Sequence, residues 1–221
     1  MRHRVADVTR QFTDLDPARV RANLDRVRDR IAAAGRDPGE VELLAATKYV
    51  PLDELPKLAA AGIELVGENR AQELTAKHQA HGDLFEWDFI GALQSRKVRD
   101  VAPIARLIHS VASDSALAQL ERHSAREVLI QVNVAGEEGK AGVAPADLAA
   151  FVDACPVPVG GLMTMPPFVE RAEDNRRHFA RLAELAAEHG LDRLSMGTSQ
   201  DYEVAVQEGA TIVRLGSVLY S

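Results

Sequence analysis

Residues 194–220 read LSMGTSQDYEVAVQEGATIVRLGSVLY. An apolar run at 194–196 stops at Gly197-Thr198-Ser199, a helical pattern follows over 200–208, and a second apolar run at 211–215 stops at Gly216-Ser217. Strand, helix, strand, with small residues where each strand ends, is the repeating unit of a parallel sheet. Working back toward the N-terminus, the same unit recurs. Apolar runs at 41–47, 63–66, 87–90, 107–111, 128–134 and 157–163 read as buried strands. Helical patterns at 52–61, 69–81, 94–101, 114–123, 145–154 and 170–189 separate them. Runs apolar on both faces, such as VLIQVNV at 128–134, fit strands covered on both sides. Eight such strands predict an α/β fold, a single closed (β/α)8 TIM barrel rather than an open doubly wound sheet. No G-x-G-x-x-G follows the first run to favour the latter. Ahead of the repeats, Asp16-Pro17 is a helix start, Val20, Leu24, Val27 and Ile31 mark one face, and Gly35 is a stop. One domain over 1–221 is expected, with 1–38 as an extra N-terminal helical segment packed on the barrel.

Composition narrows the function classes. The 221 residues are 46% hydrophobic and 27% charged, ordinary globular usage that excludes disorder, collagen and coiled coil. The single cysteine, Cys155, excludes an internal disulfide and a Cys-based zinc site, and beside Pro156 in an apolar stretch it reads as filler. The net charge of −7, without a basic stripe interleaved with aromatics, argues against nucleic acid. No apolar run reaches the ~18 residues of a membrane span. MRHRVADVTRQF at 1–12 has no apolar core of a secretory signal. A cytoplasmic protein is the expectation, and with no exposed apolar helix face standing out, a monomer.

In such barrels chemistry sits where the strands end. Only five of the 26 basic residues are lysines, and Lys48 alone ends an apolar run, in LLAATKYVP. Among apolar walls a lysine loses solvation, its pKa falls and the neutral amine attacks carbonyls; alternatively it snorkels to the rim and is inert. In LVGENRAQEL, Gly67 permits a tight turn, and Asn69 with Gln72 has the spacing of a capping box, although an amide at a barrel mouth can also bond a ligand. Trp87 and Phe89 read as core, and His109 as a satisfied core histidine. Ser110 points in or out according to a register the sequence does not fix. Gly136 and Gly139 flank a polar loop carrying Glu137, Glu138 and Lys140, which reads as surface. Met and Thr of GLMTMPP can wall a flat ligand.

The last two units carry the clearest signal. Thr198 and Ser199 precede a helix, where Ser199 serves either as N-cap or, with its neighbours' amides, as a phosphate contact. Gly216-Ser217 repeats the arrangement after the eighth strand, and loops seven and eight are the usual phosphate site of these barrels. Arg214 lies inside an apolar strand, where an unpartnered charge is costly; it needs either an acidic structural partner or a ligand or acceptor inside the barrel. An amine facing a phosphate cradle points to a phosphorylated aldehyde held as an imine. Pyridoxal 5′-phosphate fits that description, and so does a sugar-phosphate aldolase substrate.

These residues resemble a known family, the pyridoxal-phosphate homeostasis proteins (YggS/PROSC). The similar segments are LLAATKYVP, VGENRAQEL, WDFIGALQSRK, HSVAS, GLMTMPP, LSMGTSQDYEVAVQEGAT and VRLGSVLY, in the family's order from Leu43 to Tyr220. The resemblance implies a barrel of the alanine racemase N-terminal type, with pyridoxal 5′-phosphate bound as a Schiff base on Lys48. It further implies Asn69 beside the ring, Ser199 and the Gly216-Ser217 amides on the phosphate, and Arg214 at the pyridine nitrogen. Lys140 matches a loop lysine the family uses in cofactor handling. The chain departs from the family at Asp88, where histidine is common, at Thr198, where methionine is common, and near Ser221, where a glycine is expected. With little chain after the eighth strand, the first helix is expected to cover that side of the barrel.

An arginine at the ring nitrogen cannot accept a proton from it, which weakens the ring as an electron sink. Neither Tyr49 beside Lys48 nor Tyr202 and Tyr220 in the last units is an obvious second acid–base group. The expectation is a carrier or buffer in intracellular cofactor homeostasis with no catalytic residues, its partners being pyridoxal phosphate and apo-enzymes that use it. The alternatives are a racemase or lyase using that cofactor, and a Schiff-base aldolase.

Overall fold

The computed structural model describes residues 11–221; the first ten residues of the expected N-terminal segment lie outside the described part. Eight parallel strands close into a barrel in sequence order: β1 Glu42–Ala46, β2 Leu65–Glu68, β3 Glu86–Phe89, β4 Leu107–Val111, β5 Val128–Gln131, β6 Val159–Met163, β7 Arg193–Thr198 and β8 Ile212–Leu215. β1 pairs with β8, Leu44 opposite Arg214, and this closes the ring. The helices are α1 Pro17–Ala33, α2 Leu55–Ala60, α3 Ala71–His81, α4 Val98–Val101, α5 Asp114–His123, α6 Leu148–Asp153, α7 Arg176–Glu188, α8 Tyr202–Gln207 and α9 Ser217–Tyr220. Every expected strand is present, β4 with the expected bounds and the others with ends moved by at most three residues.

α1 forms as its sequence predicts. Asp16 accepts a hydrogen bond from the Ala18 amide and Pro17 occupies the first turn, so two of the helix's start requirements are met locally. Val20, Leu24, Val27 and Ile31 are buried, and so is Asn23. The Asn23 amide donates to the carbonyls of Leu219 and Ser221, both at 3.0 Å. α9 is a single turn, and α1 ties down the end of that turn. The first helix therefore does cover the side next to the eighth strand.

Two apolar layers result. The larger lies between strands and helices; the smaller joins Leu44, Leu107, Leu129, Met163 and Ile212 inside the ring. Alternate residues of a strand share a face, so Ala46, Asp88, His109, Ser195 and Arg214 face inward with this inner layer. Gly67 has a different role from the turn expected of it. It lies within β2, and a Cβ there would sit 2.5 Å from Leu44 Cδ2; the missing side chain makes room for the inner layer.

Candidate functional site

A cleft of about 520 Å³ opens where the strands end. Lys48, Asn69, Thr198, Ser199, Arg214, Gly216 and Ser217 all line it, together with Phe12, Ala46, Tyr49, Ile90, Gly91, Met165 and Gln200. Every site residue expected from the sequence is thus brought to one place. The chain carries a net charge of −7, yet the charged side chains lining this cleft are Lys48 and Arg214, without a carboxylate among the described residues. Its size falls in the ordinary small-molecule range.

Lys48 differs from the expected apolar-walled amine. β1 stops at Ala46, and Lys48 is exposed in the turn beyond it, its Nζ 5.0 Å from the centroid of the Tyr49 ring. The turn is held from below by a buried ion pair. Lys77 Nζ donates to Glu68 Oε1 at 2.5 Å and to the Thr47 carbonyl at 2.8 Å, while the Thr47 hydroxyl donates to Glu68 Oε1 at 2.7 Å. The Phe12 amide adds a bond to the Tyr49 carbonyl at 2.8 Å.

Asn69 does not cap its helix. The N-cap of α3 is Arg70, with no side-chain cap bond, which leaves the Asn69 side chain on the cleft wall. Gly91 fixes that position: a Cβ there would lie 1.9 Å from the Asn69 carbonyl oxygen, so only glycine lets the two loops meet. Ser110, on the face of β4 opposite His109, donates to the Gly91 carbonyl and so braces the same loop from outside the ring. Trp87 and Phe89 are core, each 2% exposed.

Ser199 caps a different helix from the one expected. The residue before α8 is Asp201, and Asp201 Oδ1 accepts from both the amide and the hydroxyl of Thr198 at 2.8 and 2.9 Å. Ser199 Oγ instead accepts from the Gly216 amide at 2.9 Å and the Val218 amide at 3.4 Å, at the start of α9. Loops seven and eight are joined by this one oxygen, whose own proton has no acceptor among the described residues.

Arg214 is 5% exposed, and no carboxylate pairs with it among the described residues. Its Nη1 donates to the Ser195 carbonyl at 2.8 Å and to Ser195 Oγ at 2.5 Å; its Nη2 donates to the Thr164 carbonyl at 2.8 Å and touches Met165 Sδ. Burial pushes its pKa down to about 10, which still leaves it charged at neutral pH. Nε–H is the donor with no partner among the described residues.

Beneath Arg214 the polar residues continue down the axis. His109 Nδ1 lies 2.8 Å from Ser195 Oγ and His109 Nε2 lies 3.1 Å from Asp88 Oδ2. Arg106 donates twice to Asp88, at 2.9 and 2.8 Å. Burial lowers the His109 pKa against the pull of Asp88. For Asp88, burial alone would raise the carboxyl, but the bonds from Arg106 and His109 outweigh it and hold it below the usual range. Sequence reading placed His109 in the core and passed over Asp88 and Ser195 as partners. Alternation along each strand was the available signal, but runs apolar on both faces concealed it.

A pH dependence of stability follows. Folded His109 stays neutral below the ~6.5 at which the unfolded chain's histidine takes up a proton. Acidification from about that pH therefore favours unfolding, and buried His178, also lowered, acts in the same sense. The Asp88 contribution is present above ~4 and lost only below it. The urea midpoint is expected to fall from pH 7.5 to 5.5, with a shallower fall in His109→Phe; equal slopes would contradict this.

Lys140 is not brought to the cleft. Exposed, it pairs with Glu137 in a loop that Asn133 braces through bonds to the Glu137 amide and carbonyl. Of the tyrosines, only Tyr49 lines the cleft. Tyr220 is buried with its hydroxyl donating to the Ala46 carbonyl at 3.3 Å, and Tyr202 is 2% exposed; burial raises both phenols. Among the described residues no helix is long and apolar enough to cross a membrane.

Residues 15–221 match the family model of the alanine racemase N-terminal domain. The pyridoxal phosphate homeostasis protein of Aquifex aeolicus is 40% identical over 213 residues, covering 89% of this chain and 93% of that protein. The protein of the same name from Pseudomonas aeruginosa is 41% identical, covering 88% and 90%. PipY of Synechococcus elongatus, 32% identical and covered over 100% of its length by 91% of this chain, superposes with a TM-score of 0.82 in its PLP-free structure. With PLP bound, PipY superposes at 0.77.

Proposed function

The chain belongs to the pyridoxal phosphate homeostasis protein family, within the alanine racemase N-terminal domain type, and from that premise we propose that it binds pyridoxal 5′-phosphate through Lys48 and acts as a reversible carrier. The observation that carries this reading is the joining of the exposed Lys48 amine and the Ser199 and Gly216-Ser217 loops in one cleft that holds no carboxylate among the described residues. The donors left over fit the group. Ser199 offers a hydroxyl proton beside the amides that open α9, and Arg214 offers Nε–H; both suit acceptors, and neither has a protein acceptor among the described residues. Gly216 allows close approach, since a Cβ there would meet nothing nearer than Ser199 Oγ at 4.0 Å.

When bound, the cofactor supplies an electrophilic aldehyde and an anionic phosphate. Lys48 would attach to the former, and Ser199 with the Gly216-Ser217 backbone would cradle the latter; Thr198, whose amide and hydroxyl both donate to Asp201, would wall the cradle without a donor to spare. Asn69 would wall the ring, and Arg214, with its free Nε–H, would offer its nitrogen a donor. A donor there would keep the nitrogen unprotonated and withhold the electron sink that amino-acid chemistry uses. Tyr202 and Tyr220 are packed away, so no tyrosine stands opposite Lys48 to exchange a second proton. Water reaches the exposed Lys48, which favours reversible attachment over a sequestered reaction. The recipients that suit such a carrier are apo-enzymes using the same cofactor, and the barrel acts as one binding domain, monomeric and cytoplasmic.

The test is the absorption spectrum of purified protein before and after borohydride, with the mass of the reduced adduct. A yellow protein whose adduct has the mass of pyridoxal phosphate on Lys48 is the expected result. Colourless protein that does not respond to added cofactor removes the proposal, and steady turnover of amino acids would replace it with a racemase or lyase. Ser199→Ala is expected to weaken binding of the phosphorylated cofactor by roughly tenfold, the worth of one charge-assisted hydrogen bond. Binding of unphosphorylated pyridoxal should be unchanged; equal losses for both ligands would place Ser199 outside the cradle.

A further inference from the structure

We propose that Ser195 and His109 are positioning residues for Arg214: His109 Nδ1 accepts a hydrogen bond from the Ser195 hydroxyl, and Ser195 thereby holds the guanidinium with its Nε–H left for the ligand. The inference follows from counting donors and acceptors along the chain of contacts. Arginine has five N–H donors and no acceptor. Two of them go to Ser195, at 2.8 Å to the carbonyl and 2.5 Å to Oγ, and Nη2 goes to Thr164 and Met165. Ser195 Oγ therefore accepts from Arg214, and its own proton must be donated elsewhere. Ser195 is fully buried, and the other atom within reach of Oγ is His109 Nδ1 at 2.8 Å. Nδ1 must then be the acceptor, which puts the imidazole proton on Nε2.

The other end of the chain requires the same arrangement. His109 Nε2 faces Asp88 Oδ2 at 3.1 Å, and a carboxylate bonded twice by Arg106 can only accept. The tautomer is therefore fixed from both sides. A protonated His109 would donate to Ser195 Oγ and leave the hydroxyl proton with no buried acceptor, which is costly. It would also add a charge between Arg214 and Arg106, the two cations facing it, with Asp88 as the one anion. β3, β4, β7 and β8 each contribute to this arrangement through Asp88, His109, Ser195 and Arg214, with Arg106 just ahead of β4. It is a feature of the barrel interior and not of one loop.

This inference rests on the cleft being the cofactor site only for its spectral consequence, so the experiment has two arms. In the protein without cofactor, imidazole nitrogen NMR is expected to find His109 as the Nε2–H tautomer, titrating below the ordinary histidine range. An Nδ1–H tautomer or an ordinary titration would overturn the proposal whether or not the protein binds cofactor. In the loaded protein, Ser195→Ala is expected to weaken binding about tenfold and to shift the pH titration of the bound chromophore, while the borohydride adduct still forms on Lys48. Ser195→Thr, which keeps the hydroxyl, should restore the wild-type profile. A Ser195→Ala protein with unchanged affinity and chromophore titration would overturn the positioning role. Failure of the wild type to bind cofactor would instead count against the proposed function and leave the NMR arm to decide the tautomer.

Discussion

Lys48→Ala protein is expected to be colourless and to gain no borohydride-stable mass when pyridoxal phosphate is added. The side chain is exposed in a turn, so its removal should change stability by no more than about 0.5 kcal/mol. Loss of the colour would then report chemistry and not unfolding. The cradle of Ser199 and the α9 amides should survive. A few charge-assisted hydrogen bonds net about 4 kcal/mol, which corresponds to residual binding near a millimolar dissociation constant. Equilibrium dialysis with unchanged circular dichroism would check both halves. An adduct still present, mapped to Lys77 or Lys140, would mean that the attachment point has been misassigned.

Lys77→Met carries the largest expected cost in stability, about 3–5 kcal/mol, the range for removing one member of a buried ion pair. The two side chains are 4% and 0% exposed, so Glu68 would be left as an uncompensated charge. Glu68→Gln combined with Lys77→Met should recover much of the loss, because the amide can still accept from the Thr47 hydroxyl. Urea midpoints of the single and double variants measure this directly. A single variant within about 1 kcal/mol of wild type would mean that water or a rearranged partner already screens the pair. Lys77 also holds the Thr47 carbonyl, so a disordered Lys48 turn, and with it weaker cofactor attachment, should accompany the stability change.

Much of the architecture was legible because each unit carried its own local signals. Asp16-Pro17 began α1 where the sequence placed it, and the interval between Asp114 and His123 formed α5 to the residue. Small residues after the seventh and eighth strands led directly to the cleft. Where the sequence reading went astray, the deciding partner was distant along the chain. Ser199 has the composition of a cap for the next helix, but its hydroxyl reaches the amides of Gly216 and Val218 on the neighbouring loop. Asn69 has cap spacing, but α3 begins one residue later, and the contact with Gly91 sets its place. Lys77 sits in an ordinary helical pattern, and only the packing of α3 under the β1 turn makes it a buried cation. Arg214 alone signalled the interior chain of polar residues. Its members lie on four strands, and parallel strands apolar on both faces do not declare which alternate residues look inward.

The bond between the Phe12 amide and the Tyr49 carbonyl, with the Phe12 ring 5.0 Å from that of Tyr220, has a practical consequence. The stretch leading into α1 doubles as a wall of the cleft and a splint for the lysine-bearing turn. An affinity tag or fusion partner placed upstream can therefore alter colour and occupancy without touching any cofactor contact. Preparations should be compared with matched leaders, or after the leader has been cleaved, before a difference in spectrum is ascribed to a substitution.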